Sequence, residues 1–224
     1  MITPDLDLIA DVMCGHEAAG RLPGDAPHLY VLRSSERVVC RFHSALNQTA
    51  IGKLADLVML ERGRPRDWEC DYARFVSVLC ASGLKPIGLR AGPLYCFPDD
   101  LPDGDGCVLI DENTSDVSLG GLDEWLSVVA SMQPFIAVRE RNQIVSVCAS
   151  VRASETIHIA GVETLPSRQA RGLGSRVVST WAKAVRTLGA VPIYSTTFDN
   201  IRSQALARRL KLIPKASEFS IRCE

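Results

Sequence analysis

Hydrophobic and polar residues follow a regular pattern in the C-terminal half of the chain. Two β-rich stretches at residues 135–138 and 144–151 flank a polar turn, which predicts a β-hairpin. Residues 157–164 predict a third strand, ended by Pro166. Apolar residues then recur at helical spacing on one face of a predicted helix that Gly189 ends: Leu173, Val177, Trp181, Ala184, Val185 and Leu188.

The same half continues with a strand at 193–197, a helix from about 200 to 210 and a last strand near 218–223. A helix over residues 122–130 is predicted to precede the hairpin. The resulting order is β-hairpin, strand, helix, strand, helix, strand. Mixed elements of this kind predict an α/β (α+β) fold.

The N-terminal half predicts a second mixed α/β region. Residues 29–32 and 38–42 predict a hairpin, and apolar spacing predicts helices near 51–58 and 72–79. Gly88, Gly92 and Pro93 are expected to break the chain before residues 94–97. The Pro-, Gly- and Asp-rich segment at 98–106 predicts a hinge or long loop between the two halves.

Composition narrows the class of protein. The chain has 224 residues, 46% of them hydrophobic and 23% charged, which is typical of one large or two small globular domains. The net charge of -1 offers no basic excess for nucleic acid, and the arginines at 62, 64, 66, 208 and 209 are expected to be solvated. The acidic N-terminus and the lack of a long apolar run predict a cytoplasmic protein without a membrane span.

The eight cysteines do not indicate a metal site. None of them forms a C-x-x-C pair, so reduced, buried thiols are the expectation. Cys14 lies close to His16, but two neighbouring ligands without further partners do not define a zinc site.

The clearest chemical signal is the segment Gln169-Ala-Arg-Gly-Leu-Gly174, between a predicted strand and a predicted helix. A glycine-rich turn at a helix N-terminus gathers unpaired N–H groups and the positive end of the helix dipole, and it therefore suits a phosphate. Arg171 adds a positive charge there. The alternative is that both glycines are purely conformational. Neither the P-loop nor the dinucleotide-binding glycine pattern is present.

The Q-x-x-G-x-G turn, the preceding GVETLP stretch and an Asn-led helix after the next strand together resemble the GNAT (N-acetyltransferase) superfamily. The resemblance covers residues 134–221. Within the superfamily it is similar to the acetyltransferases of the zwittermicin-resistance kind, to which the upstream GPLYCFP segment adds weaker support.

This resemblance implies a mixed, mostly antiparallel central sheet flanked by helices, with acetyl-coenzyme A (acetyl-CoA) as cofactor. It implies a catalytic domain over residues 116–224. Residues 1–115 would be an N-terminal α/β subdomain, hypothesised to be a degenerate copy of the same fold that walls the acceptor site.

The family's cofactor contacts carry over residue by residue. The pyrophosphate would be bound by the backbone of the turn, with the residue that follows it: Gln169, Ala170, Arg171, Gly172, Leu173, Gly174 and Ser175. Val162 and Thr164 would bind the pantetheine arm, as an added strand would. Asn200 and Ser203 would contact the distal pantetheine or the phosphate end. The thioester would sit where strands 157–164 and 193–197 splay apart.

The implied chemistry is direct attack of an amine on the thioester within a ternary complex. Glu163 is the candidate base, and the alternative is an ordinary salt-bridged carboxylate. Tyr194 is the candidate acid, because Ala207 occupies the position where many GNAT enzymes carry a tyrosine; the alternative is a buried packing tyrosine. Lys211-Leu212 replaces the usual Gly-Phe. His158 is expected to be a sheet histidine rather than a base.

These residues support an acetyl-CoA-dependent N-acetyltransferase acting on an amine of a small molecule, as a monomer or homodimer. A peptide amine is the alternative acceptor. Two rival hypotheses are a non-catalytic acyl-CoA-binding or partner-binding module and a structural α/β protein with an empty turn.

Overall fold

The computed structural model describes residues 4–15, 21–22, 24–62, 70–111, 114, 121–141 and 143–224, without the side chain of Leu126. His16, Arg64 and Arg66 lie outside these residues, as does the interval between residues 115 and 116 where the domain boundary was predicted. The chain forms two compact units. The C-unit comprises Tyr95–Ser195 and Asn200–Ile213, and the N-unit comprises Pro4–Leu94, Thr196–Asp199 and Pro214–Glu224.

The described residues contain ten strands and five α-helices. The strands are β1 (Arg21–Leu22), β2 (Leu29–Arg33), β3 (Val38–His43), β4 (Pro86–Cys96), β5 (Cys107–Ile110), β6 (Phe135–Glu140), β7 (Gln143–Ala153), β8 (Ile157–Thr164), β9 (Val191–Ser195) and β10 (Ile213–Cys223). The helices are α1 (Leu6–Cys14), α2 (Gln48–Leu60), α3 (Tyr72–Ala81), α4 (Leu173–Thr187) and α5 (Ile201–Arg209). The predicted mixed α/β class is confirmed.

The N-unit has a sheet with its own core. Its strand order is β1, β3, β2, β10 and the N-terminal part of β4. Strands β2 and β3 pair antiparallel, as do β2 and β10, whereas β1 and β3 are parallel. The core contains apolar residues of the sheet together with those of α2 and α3, including Leu29, Val31, Leu54, Phe75, Leu79 and Ile221. The predicted hairpin and both predicted helices are confirmed.

Strand β4 corrects one expectation. It continues through Gly88, Gly92 and Pro93, which were predicted to interrupt the chain. Gly92 is required by close packing, because a Cβ there would lie 1.8 Å from the carbonyl oxygen of Thr196. The glycine therefore allows two backbone segments of the N-unit to approach each other, and it does not end the strand.

The C-unit has a five-stranded sheet in the order β9, β8, β7, β6, β5. All of its neighbouring strands are antiparallel except β8 and β9, which are parallel. Helix α4 packs on the sheet with a fully buried stripe that includes Val177, Val178, Trp181 and Val185. The predicted order of elements is confirmed, with a 3₁₀ helix at Asp123–Val128 where a longer helix was expected.

A hydrogen-bond network ties α4 to the sheet below it. Trp181 Nε1 donates to Ser150 Oγ at 3.1 Å, and Ser150 Oγ lies 2.8 Å from Nδ1 of His158. Burial lowers the pKa of His158, so its neutral imidazole is favoured. His158 is therefore a buried sheet residue, as predicted.

The segment at 98–106 is a loop within the C-unit, and side chains of α4 hydrogen-bond to its backbone. Arg186 donates to the carbonyl oxygens of Phe97, Pro98 and Asp99 at 2.7–3.1 Å, and the Ser179 hydroxyl donates to the Pro102 carbonyl. The predicted loop is confirmed, and in this part of the chain the C-unit begins at Tyr95. Among the described residues, no helix has the length and hydrophobicity that crossing a membrane requires.

We predict that Gly104→Ala destabilises the protein. A Cβ at Gly104 would lie 1.8 Å from Thr180 Oγ1 and 2.9 Å from the carbonyl oxygen of Arg176, so the loop would be pushed off α4. The expected loss in the free energy of unfolding is about 1–3 kcal/mol, measured by urea denaturation. Gly52→Ala on α2 is the matched control, because a Cβ there meets nothing within 4 Å. Equal stability of the two variants would contradict the prediction.

Candidate functional site

The chain makes a tight connection between the end of β8 and the start of α4. A 3₁₀ turn at Pro166–Arg168 follows the strand, and the side-chain Nε2 of Gln169 donates to the carbonyl oxygen of Thr164 at 3.2 Å. Ala170 and Gly172 then adopt positive φ angles of 62° and 79°. Glycine tolerates this conformation at little cost, so Gly172 lets the chain turn directly into the helix.

The N-terminus of α4 is open to an anion. Gly172 is the residue before the helix, and no side chain caps it. The first N–H groups of any α-helix have no partner within the helix, and they add to the positive end of its dipole. A bound phosphate is the kind of group that satisfies both.

A cleft of about 500 Å³ lies at this helix end, wholly within the C-unit. It is lined by β8, the turn, the first residues of α4, Tyr194 and α5. The lining residues are Val162, Thr164, Arg168, Gln169, Ala170, Gly172, Leu173, Gly174, Ser175, Tyr194, Asn200, Arg202, Ser203, Ala205, Leu206 and Arg209. The structure thus brings together every residue predicted for the cofactor except Arg171.

Arg171 is exposed and pairs with a neighbouring carboxylate. Its Nη1 lies 3.0 Å from Oε1 of Glu140, and the Nε of Arg168 lies 3.0 Å from Oε2 of the same residue. The charge of Glu140 therefore compensates both of these arginines in part.

Strands β8 and β9 separate beside the cleft. Their paired positions are 157 with 191, 158 with 192 and 159 with 193, although both strands continue further. Val162 and Thr164 lie on β8 beyond the last pair and line the cleft. A strand edge beyond its paired region offers backbone groups that an extended ligand can bind.

Helix α4 approaches β8 and α5 closely at Gly174. A Cβ on this residue would lie 3.2 Å from Leu206 Cδ1 and 3.5 Å from Thr164 Oγ1. Any larger side chain at position 174 therefore projects into the cleft between these two walls.

Asn200 and Ser203 occupy the opposite wall, at the start of α5. The Asn200 side chain caps this helix by accepting the N–H of Ser203 at 3.0 Å. Ser203 Oγ lies 2.6 Å from the hydroxyl oxygen of Tyr194. Tyr194 is buried, and this burial raises the pKa of its hydroxyl to about 12 although the Ser203 hydrogen bond acts in the opposite direction.

Glu163 points away from the cleft lining. Successive side chains of a strand alternate, so Glu163 lies on the face opposite Val162 and Thr164. Its Oε2 accepts a hydrogen bond from Trp125 Nε1 at 2.6 Å. The partner of this candidate base is thus an indole. The ring of Trp125 also reaches Gly161, where a Cβ would lie 3.2 Å from its Cη2.

Trp125 and the lining arginines of α5 were not among the residues predicted from the sequence for the site. Arg202, Leu206 and Arg209 follow an i, i+4, i+7 spacing, which places them on one face of α5. That spacing was available in the sequence. No local pattern connects Trp125 with Glu163, because they are 38 residues apart.

The chain is similar to one known family model and to several solved structures. Residues 135–215 match the family model described as FR47-like protein. No curated protein matches the sequence significantly. A GNAT-family acetyltransferase from Colwellia psychrerythraea is similar in structure, with a TM-score of 0.50 and 10% identity, over 93% of this chain and 80% of that one.

Two further structures are similar at lower scores. A GCN5-related N-acetyltransferase from Sphaerobacter thermophilus has a TM-score of 0.49 and 14% identity, over 97% of this chain and 84% of that one. A GNAT-family protein from Novosphingobium aromaticivorans has a TM-score of 0.47 and 17% identity, and the match covers 62% of this chain and spans 66% of that protein's length.

The fold is that of the GNAT acetyltransferases. The match of residues 135–215 to the FR47-like model and the fold shared with a GNAT acetyltransferase support the GNAT superfamily predicted from the Gln169–Gly174 turn. The narrower resemblance to acetyltransferases of the zwittermicin-resistance kind stays a prediction.

We predict that Tyr194→Phe makes the protein less sensitive to alkali. The folded-state pKa of Tyr194 is raised to about 12, whereas a tyrosine in the unfolded chain has a pKa of about 10. The stability gained by keeping this hydroxyl neutral is therefore complete below pH 10 and is lost as the pH rises toward 12. From about pH 9 to about pH 11 the wild type should lose about 1 kcal/mol more than the variant. Urea denaturation at each pH measures this, and equal losses would refute it.

Proposed function

We propose that this protein is an acetyl-CoA-dependent N-acetyltransferase that acts on the amine of a small molecule in the cytoplasm. The observation that carries the proposal is the cleft at the uncapped N-terminus of α4, which also contains the part of β8 that is not paired with β9. An anion site and a free strand edge in one cleft suit a ligand with a phosphate end and an extended amide-bearing arm.

The cleft residues fit acetyl-CoA in three places. The backbone from Gln169 to Gly174, with Ser175, would hold the pyrophosphate, and Val162 and Thr164 would hydrogen-bond the pantetheine arm. Asn200 and Ser203 line the wall across the cleft. Acetyl-CoA would supply the acetyl group as a thioester.

Glu163 would serve as the base on the other face of β8. A carboxylate offers about four acceptor positions, so the hydrogen bond from Trp125 leaves room for an ammonium proton. The acceptor amine would then approach from the face that carries Trp125, opposite the side chains of Val162 and Thr164.

Tyr194 would act as a hydrogen-bond donor. With its pKa raised to about 12 it stays protonated at neutral pH. Complete proton transfer from it to a thiolate, whose conjugate acid has an ordinary pKa of about 8.5, would be uphill by roughly 5 kcal/mol. Donation of a hydrogen bond to developing negative charge does not carry this cost.

We predict that Gly174→Trp abolishes cofactor binding. The indole would fill the space between Leu206 and Thr164, where even a Cβ is 3.2–3.5 Å from its neighbours. Isothermal titration with acetyl-CoA should give micromolar affinity for the wild type and no measurable binding for the variant. Gly52→Trp, on the exposed surface of α2, should bind like the wild type. Failure of the wild type to bind at millimolar acetyl-CoA would refute the proposed function.

We predict that Glu163→Gln lowers turnover about 10²- to 10⁴-fold, the usual contribution of a general base, with acetyl-CoA affinity nearly unchanged. The measurement is thiol release from acetyl-CoA with a panel of primary amines. Trp125→Phe should lower kcat in the same direction, because it removes the N–H that orients the carboxylate. Glu155→Gln, which changes an exposed carboxylate in the turn before β8, is the matched control and should keep the kcat of the wild type.

The variants also separate the enzyme from its main rival. Full turnover by Glu163→Gln would remove this carboxylate from the mechanism. Tight binding of acetyl-CoA by the wild type without turnover on any amine would favour a non-catalytic acyl-CoA-binding module.

A further inference from the structure

The positive charges around the cleft divide into two kinds. Arg168 and Arg171 share the carboxylate of Glu140. The side chains of Arg202 and Arg209, by contrast, have neither an ion pair nor a hydrogen bond to any part of the chain that the structure describes. The cleft lining contains three arginines and, among its described residues, no carboxylate. Two guanidinium groups on α5 therefore bring uncompensated positive charge to the cleft.

Arg209 lies against Gly172, in the turn that precedes α4. Its Nη2, Cζ and Nη1 atoms are 3.0, 3.3 and 3.4 Å from the position that a Cβ on Gly172 would occupy. The whole plane of the guanidinium group is thus close to the residue that precedes α4. A side chain at position 172 would displace this group, so the glycine serves the contact as well as the turn.

Helix α5 determines which part of the cleft each arginine reaches. Its first turn holds Asn200 and Ser203, next to Tyr194, and Arg209 is its last residue. The helix rises about 1.5 Å per residue, so the two ends of its cleft-lining face are roughly 10 Å apart. Arg209 is therefore at the end of the cleft that the Gly172 turn defines, away from Tyr194.

We propose that Arg209 closes the anion site from the side opposite α4, so that the cofactor's diphosphate is held between the helix N–H groups and this guanidinium. The inference rests on the proposed function, and it adds a binding residue that lies outside the glycine turn. A guanidinium suits the role because its parallel N–H donors match two oxygens of one phosphate.

The test compares Arg209→Gln with Arg208→Gln, a neighbouring exposed arginine that is not part of the cleft lining. Each protein is titrated with acetyl-CoA and with dephospho-acetyl-CoA, which keeps the diphosphate and lacks the terminal phosphate. We expect Arg209→Gln to weaken both cofactors by the same factor, roughly 10- to 100-fold, as for a hydrogen-bonded ionic contact. Arg208→Gln should stay within about twofold of the wild type.

Arg209→Lys provides a second check on the geometry. Lysine keeps the charge but cannot make two parallel hydrogen bonds, so it should restore only part of the affinity that Arg209→Gln loses. Raising the salt concentration should weaken wild-type binding more steeply than binding to Arg209→Gln, because the variant has one charged contact fewer.

Three results would overturn the inference. One is a loss confined to acetyl-CoA and absent for dephospho-acetyl-CoA, which would move Arg209 to the terminal phosphate. Another is equal affinity of Arg209→Gln and Arg208→Gln for both compounds, which would leave Arg209 as a solvated surface charge. Absence of acetyl-CoA binding by the wild type would remove the proposed function as well, and that outcome is recognised before any variant is compared.

Discussion

Burial of the apolar stripe of α4 against the C-unit sheet is the interaction on which the candidate site depends. Trp181, Val177 and Val185 are fully buried, and each side chain of this size contributes roughly 1.5–3 kcal/mol. This packing fixes the axis of the helix and therefore the direction of its first N–H groups. The glycine turn connects β8 to the start of this helix, whose position the core packing determines.

Much of this architecture follows from local patterns in the sequence. The i, i+3, i+4 spacing that begins at Leu173 predicts an amphipathic helix, and the glycines between this helix and the preceding strand predict a tight turn. Asn200 was assigned to the start of a helix, and the structure shows its side chain capping α5. These features depend on neighbours within a few residues, so the sequence carries them directly.

The rest depends on contacts that are distant along the chain. From the sequence alone, Gly92 was predicted to interrupt a strand. The structure shows that a Cβ at this position would lie 1.8 Å from the carbonyl oxygen of Thr196, so close packing requires the glycine. The Trp125–Glu163 hydrogen bond has no sequence signature, because no periodicity links a 3₁₀ helix to a strand 38 residues away. Arg209 looked like an ordinary solvated charge, and only its position beside Gly172 distinguishes it from Arg208.

The short register between β8 and β9 has a mechanical consequence. Three paired positions join these strands at one end, and beyond them the two walls of the cleft continue on separate elements. Beyond Ile159, β8 remains paired with β7 as far as Thr164, so the buried sheet holds this wall of the cleft in place.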